Sequence, residues 1–159
     1  MPWLPESFTE VIQEAKHLIL KFFEVQLTAQ VYICSRDEMT DAVLEELETK
    51  NFSKEKIEHI KKIYIRRIIG KYFDYNDTIY LLEGKGDNIV VLVHELLHSF
   101  QKCTPNREKI VDFITYKITG LKTQIPEPTL KEWLEIEKTY GFKIIKDQLI
   151  LEKNCEDFE

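Results

Sequence analysis

The chain has 159 residues, 43% of them aliphatic, sulfur-containing or aromatic, and few Gly or Pro; that suits one domain with a real core and excludes disordered and fibrous classes. A formal charge of -6 favours a soluble protein and argues against nucleic acid or an anionic membrane as partner. Cys34, Cys103 and Cys155 are widely spaced with no CxxC pair, so neither a disulfide framework nor a thiolate zinc knot is expected, and a reducing, cytoplasmic setting is the simpler reading.

The start, MPWLPESFTEVIQEAKHL, lacks the basic residues and apolar run of a secretory signal, and no run reaches membrane-spanning length. A first helix is expected from about Ser7, where Ser7 and Glu10 fit a capping box and Val11, Ala15, Leu18, Ile19 and Phe22 recur at helical spacing. TAQVYIC, residues 28–34, reads as a short strand. Ser35 and Glu38 form a second capping box before a helix with Met39, Val43, Leu44 and Leu47 inward. Ser53 caps the next helix, KEKIEHIKKIYIRRIIGK, which closes near Gly70 with a stripe of Ile57, Ile60, Tyr64 and Ile68. The two middle helices are oppositely charged: six acidic and no basic residues over 37–48, seven Lys or Arg against two Glu over 54–71. A solvated basic face is preferred there to nucleic-acid binding.

YFDYNDTIYLLEG then gives one or two strands around the turn-prone Asn76-Asp77, residues 78–83 the firmer. GKGD turns into a central helix capped by Asp87. A further helix runs from about Pro105, behind Thr104 as N-cap, to Thr119 before Gly120, and Thr129 with Glu132 opens a C-terminal helical region interrupted at Gly141. The order describes a single α+β domain over residues 1–159, a small sheet around a central helix, without a βαβ nucleotide unit or a Gly-rich phosphate loop.

The central helix contains His94-Glu95-Leu96-Leu97-His98. With His94 at zero, His98 lies about 40° round the helix and Glu95 about 100°. Imidazoles on adjacent turns reach one zinc ion, and the offset glutamate can reach a water on that ion without coordinating it, as a general base must. Ile89, Val90, Val91, Leu92, Val93, Leu96, Leu97 and Phe100 make the rest of the helix apolar. Buried polar groups there need a ligand or a hydrogen-bond network.

A hydrolytic zinc site takes three protein ligands and leaves a position for water. Glu108, ten residues beyond His98 on the next helix, is the preferred third ligand. Asp112, one turn on, is placed to accept the free ring N–H of a ligand histidine. The reverse assignment, with Asp112 as ligand, and Cys103 as a competing ligand stay open. Asp112, Thr115, Tyr116 and Thr119 share one polar wall with Glu108, over an apolar back of Ile110, Val111, Ile114 and Ile118.

HELLH at 94–98 followed by EKIVD at 108–112 resembles the zincin metallopeptidases, gluzincin branch, with similarity to compact minimal gluzincins and to ImmA/IrrE-type regulatory peptidases. The resemblance covers about residues 78–119. It implies a compact zincin-like fold, zinc held by His94, His98 and Glu108, Glu95 as general base and proton shuttle, and Asp112 behind a ligand histidine. It further implies a peptide or protein substrate pairing in extended form with a strand edge, for which TIYLLE at 78–83 is the candidate. Ten residues from His98 to Glu108 is a shorter spacing than larger gluzincins use, which implies a minimal catalytic core.

The expected activity is therefore peptide-bond hydrolysis by an endopeptidase. An oxyanion donor is expected besides the metal, with Tyr116 the first candidate and Tyr80 a weaker one. His17 and His59 are read as ordinary surface or core histidines. The competing reading is a noncatalytic zinc-stabilised interaction domain, against which an intact Glu95 argues, since a structural site needs no base.

Overall fold

The computed structural model describes residues 1–21, 23, 25–100, 107–120, 142–145 and 148–151; for 107–110, 113, 117 and the last two segments the description is of the backbone alone. A 3-10 turn, Glu6–Phe8, leads into α1 (Thr9–Leu20), followed by β1 (Gln30–Cys34), α2 (Arg36–Thr49) and α3 (Lys54–Ile63). A second 3-10 turn, Ile65–Arg67, joins α3 to the hairpin β2 (Gly70–Phe73) and β3 (Thr78–Leu82). Then come α4 (Ile89–Phe100), α5 (Arg107–Thr119), and an antiparallel pair, β4 (Phe142–Ile145) and β5 (Gln148–Leu151). Five helices and a three-stranded sheet among the described residues make the fold α+β, as the order of elements implied. Among the described residues no helix is long and apolar enough to cross a membrane.

The sheet runs β1-β3-β2, with β3 parallel to β1 and antiparallel to β2. Side-chain alternation divides the core in two. Val31, Ile33, Tyr72, Ile79 and Leu81 face α1, α4 and α5, while Cys34, Phe73 and Tyr80 face α2 and α3. A strand covered on both faces must be apolar throughout, and β3 buries four of its five residues. Backbone bonds from Trp3 to Ile33, at 2.7 and 2.8 Å, cover the outer side of β1. Among the described residues, β2 forms the opposite edge.

Local chemistry accounts for most element boundaries. The Ser35–Glu38 capping box forms in full, and Ser53 Oγ accepts from Lys56 N–H at 3.2 Å. The Ser7 box does not form, because a 3-10 turn occupies residues 6–8 and leaves Phe8 as the cap without a side-chain bond. α4 is capped by Asn88, whose Oδ1 accepts from Val91 N–H at 3.0 Å, rather than by its neighbour Asp87. α3 stops at Ile63, short of the expected Gly70, and the tighter 3-10 turn shifts the inward register by one residue. Ile65 is therefore buried at 2% and Tyr64 exposed at 54%, so Ile65 takes the place of Tyr64 in the expected stripe, while Ile57, Ile60 and Ile68 face the core as expected. Arg36 fixes that turn, its guanidinium donating to the carbonyls of Ile65 at 3.0 Å and Ile68 at 2.6 Å.

Two glycines draw the hairpin onto α4. A Cβ on Gly70 would come 2.6 Å from Val91 Cγ1 and 3.4 Å from Glu95 Cγ. One on Gly86 would lie 1.8 Å from the Ile69 carbonyl oxygen. That oxygen accepts from Leu82 N–H at 2.8 Å, and Gly86 N–H donates to the Leu82 carbonyl at the same length. α5 ends at Thr119 before Gly120, as expected, with Gly120 at a φ of 69° closing the helix through Tyr116 O. The expected helix over 129–140 and the Thr104–Pro105 cap lie outside the described residues. β4 and β5 were not foreseen.

Candidate metal centre

Leu92, Val93, Leu96 and Leu97 are fully buried in the core shared with α1 and α5, which fixes the rotation of α4. The same rotation buries Glu95 and His98, each at 7% exposure, and leaves the His94 side chain at 14%. Three ionisable side chains are thus held largely out of water, an arrangement that costs free energy unless each is partnered.

Partners are present. Asp112, arriving on α5, stands 2.8 Å from His94 Nδ1 through its Oδ1. A carboxylate there holds the ring proton on Nδ1 and leaves the lone pair on Nε2. That Nε2 stands 3.1 Å from His98 Nε2, with the ring centroids 4.8 Å apart and the planes inclined at 69°. Two nitrogens facing each other so closely need a proton or a cation between them. Imidazole nitrogens held at about 2.0–2.1 Å by one tetrahedral zinc ion stand about 3.3 Å apart, close to the spacing already adopted. Glu95 Oε1 lies 4.0 Å from His94 Nε2, and the donor atoms of His94, Glu95 and His98 all fall within 4.8 Å of one another. Among the described residues, this trio is the group able to hold a metal ion. Its mixed nitrogen and oxygen donors fit zinc.

Glu95 and His98 open onto a polar cleft of about 110 Å³. Its other walls include Gly70 and Lys71 from β2, Glu46 from α2 and Lys50 just past the end of α2. Glu46 is 5% exposed and sits between two cations, 3.3 Å from Lys71 Nζ and 3.9 Å from Lys50 Nζ; Lys50 also reaches Asp74 at 3.1 Å. The cleft follows the β2 edge, from the α2 layer to α4.

The remaining expectations divide clearly. Glu108 lies on α5 one turn before Asp112, with its side chain outside the described residues. Cys103 also lies outside them. Tyr116 is half-buried a turn beyond Asp112 and does not line the cleft. Thr115 is fully buried, its hydroxyl donating to the Val111 carbonyl at 2.7 Å, so the expected polar wall of α5 is interrupted there. Tyr80 is on the wrong face of the sheet: its ring packs on Phe73 at 5.3 Å, among the α2 and α3 side chains. TIYLLE is not an edge either, because β3 is the central strand; the strand beside α4 with an outer side is β2. His17 lies on α1 and His59 on α3, both outside the metal-competent trio. Cys34 is fully buried, and burial, reinforced by Glu38 and opposed by Arg36, pushes its thiol up to about 11, leaving it protonated and inert.

Sequence reasoning missed the cleft's far wall. Gly70 could be read as a helix stop, and in fact it opens an edge strand pressed against Glu95. The opposite charges of segments 37–48 and 54–71 were visible, and Glu46 with Lys71 is where the two meet. Comparison of the chain with family models, with curated proteins and with solved structures gives no match in any of the three.

Proposed function

We propose that the protein is a zinc-dependent peptidase whose metal is held by His94, His98 and Glu108, with Glu95 as general base. The observation that carries this reading is the pair of Nε2 atoms 3.1 Å apart, one of them aimed by Asp112. That is the donor spacing and the outer hydrogen bond of a zinc-bound histidine pair. Zinc, when bound, supplies Lewis acidity and lowers the pKa of a water in its remaining position.

The chain's own groups do the rest. Asp112 orients His94 and raises its basicity. Glu95, offset from the imidazoles and opening onto the cleft, takes a proton on its carboxylate from the attacking water and delivers it to the leaving amine. β2 runs along the cleft as an edge strand, so an extended substrate can add to it through main-chain hydrogen bonds, the part first assigned to residues 78–83. Enzymatic rather than structural zinc is favoured because Glu95 and His98 border a cleft, whereas structural sites are closed by a fourth protein ligand.

Zinc content and cleavage of a peptide library, measured for the parent chain and for Glu95→Gln, test this. The variant is expected to keep its zinc and lose about 100- to 10,000-fold in cleavage. Unchanged cleavage removes Glu95 from its role, and absence of stoichiometric zinc from both proteins removes the reading itself.

A further inference from the structure

Basic residues around the cleft fall into two sets. Lys50 and Lys71, inside it, are paired with Glu46 and Asp74. Lys61, Lys62, Arg66 and Arg67, at the corner where α3 gives way to its 3-10 turn, are all exposed and make no ion pair among the described residues. Between them stand Ile63 and Tyr64, 53% and 54% exposed. The corner is held in shape by the buried anchors Ile65 and Ile68 and by the Arg36 guanidinium on their carbonyls. It is also continuous with the cleft, since Tyr64 and Ile68 line the same depression as Glu95 and His98.

We infer that this corner docks an acidic, partly apolar stretch of the polypeptide substrate and feeds the adjoining segment into the cleft, an inference that rests on the peptidase reading. Charge complementarity identifies the occupant. Residues 54–71 carry seven Lys or Arg against two Glu, a net +5 in a chain of -6, which leaves -11 on the remainder. An acidic segment is repelled by most of the molecule and attracted here, so it is steered to one place and orientation. The exposed Ile63 and Tyr64 give the apolar contact that a pure phosphate site lacks. Past Tyr64 the cations that line the cleft, Lys50 and Lys71, are already paired with Glu46 and Asp74, and Glu95 adds a further carboxylate, so among the described residues the cleft does not continue the basic track that a polyanion such as a nucleic acid would follow. A peptide with acidic residues on one side of a neutral scissile bond satisfies both stretches.

The test is binding to the zinc-loaded Glu95→Gln chain by fluorescence anisotropy, which needs no turnover. The probes are a labelled peptide rich in Asp, Glu and Leu, and its isomer with Asn and Gln in place of the acids. The acidic peptide is expected to bind at least about tenfold tighter at low salt, and the advantage to collapse near 0.3 M salt, where the screening length falls to roughly 6 Å. Reversing the corner with Lys61→Glu, Lys62→Glu, Arg66→Glu and Arg67→Glu is expected to erase the preference while zinc content persists, and the same reversal in the chain that keeps Glu95 is expected to leave turnover of the neutral peptide in place. Equal binding of the two peptides overturns the inference on the unreversed chain alone, as does tighter binding of a single-stranded oligonucleotide or of phosphatidylserine vesicles. Acidic preference without any cleavage by the parent chain leaves the docking corner standing and removes the peptidase; cleavage without charge preference does the reverse.

Discussion

α3 and α4 both carry an apolar stripe in sequence, yet they meet solvent in opposite ways. α4 buries six residues, two of them ionisable, whereas α3 buries none and ends on an exposed Ile63 and Tyr64. A stripe therefore says which side of a helix is apolar, and the neighbours decide whether that side is covered. α4 is sandwiched between the sheet and the helices α1 and α5, so even its polar residues are enclosed. α3 lies on the outside of α2, where Ile57 and Ile60 are only half-covered. The departures are buried charge on α4 and exposed apolar surface near the end of α3, and both border one cleft.

The contrast can be broken most severely at the candidate metal centre. His98→Ala should reduce bound zinc to well below stoichiometry, by more than the roughly 10- to 100-fold loss of affinity expected for Asp112→Ala, which removes only the outer hydrogen bond. Competition with a calibrated chelator reads both; equal affinities in the two variants would dissolve the distinction between ligand and support. Packing comes next. Leu96→Ala, at a fully buried position, should cost about 2–5 kcal/mol in denaturant unfolding, against about 0.5 kcal/mol or less for Ile63→Ala at the exposed corner. Similar losses would mean that α3 is covered in solution.

A smaller effect is expected where the hairpin meets α4. Gly70→Ala places a methyl 2.6 Å from Val91 Cγ1 and should cost about 1–3 kcal/mol as the strand and helix move apart. Peptide turnover should fall while zinc affinity holds, because the histidines sit on α4 and the displaced wall is β2; loss of zinc instead would place Gly70 in the support of the metal. Smallest of all, Ser35→Ala should cost about 1 kcal/mol through its capping box, and Ser7→Ala almost nothing, since no box forms there. Thermal unfolding of the two variants reads that difference.

These pairs also mark what was legible. Ser35, Ser53, the span of β1 and the inward face of α4 follow from short-range chemistry, because each depends on residues within a turn or two. The approach of Asp112 to one of the two histidines was legible as well, since helical spacing puts Glu108 and Asp112 on one face and few residues separate the two helices in sequence; that the histidine is His94 was not. What was hidden depended on distant contacts or on one-residue choices. Asp87 and Asn88 are both good caps, and only the fold selects Asn88. Apolar spacing runs on through Tyr64 and Ile68, so nothing local announces the 3-10 turn that sends Ile65 inward. Strand order is a property of the whole sheet, which is why the firmer strand, 78–83, turned out central and Gly70–Phe73 became the edge beside the site. β4 and β5 escaped because Lys146-Asp147 between them is not one of the Gly-bearing pairs that announce a tight hairpin.

The contact between Gly86 and the Ile69 carbonyl has a consequence for how such a site can diversify. Ile69 is the last residue before β2, and Gly86 stands two residues ahead of the Asn88 cap, so main-chain atoms gauge the gap between the strand and the helix that carries His94, Glu95 and His98. Lys71, Glu46 or Tyr64 can then be exchanged for other chemistries without resetting that gap. On the peptidase reading, selectivity is free to drift while the distance from bond to base is inherited from the backbone.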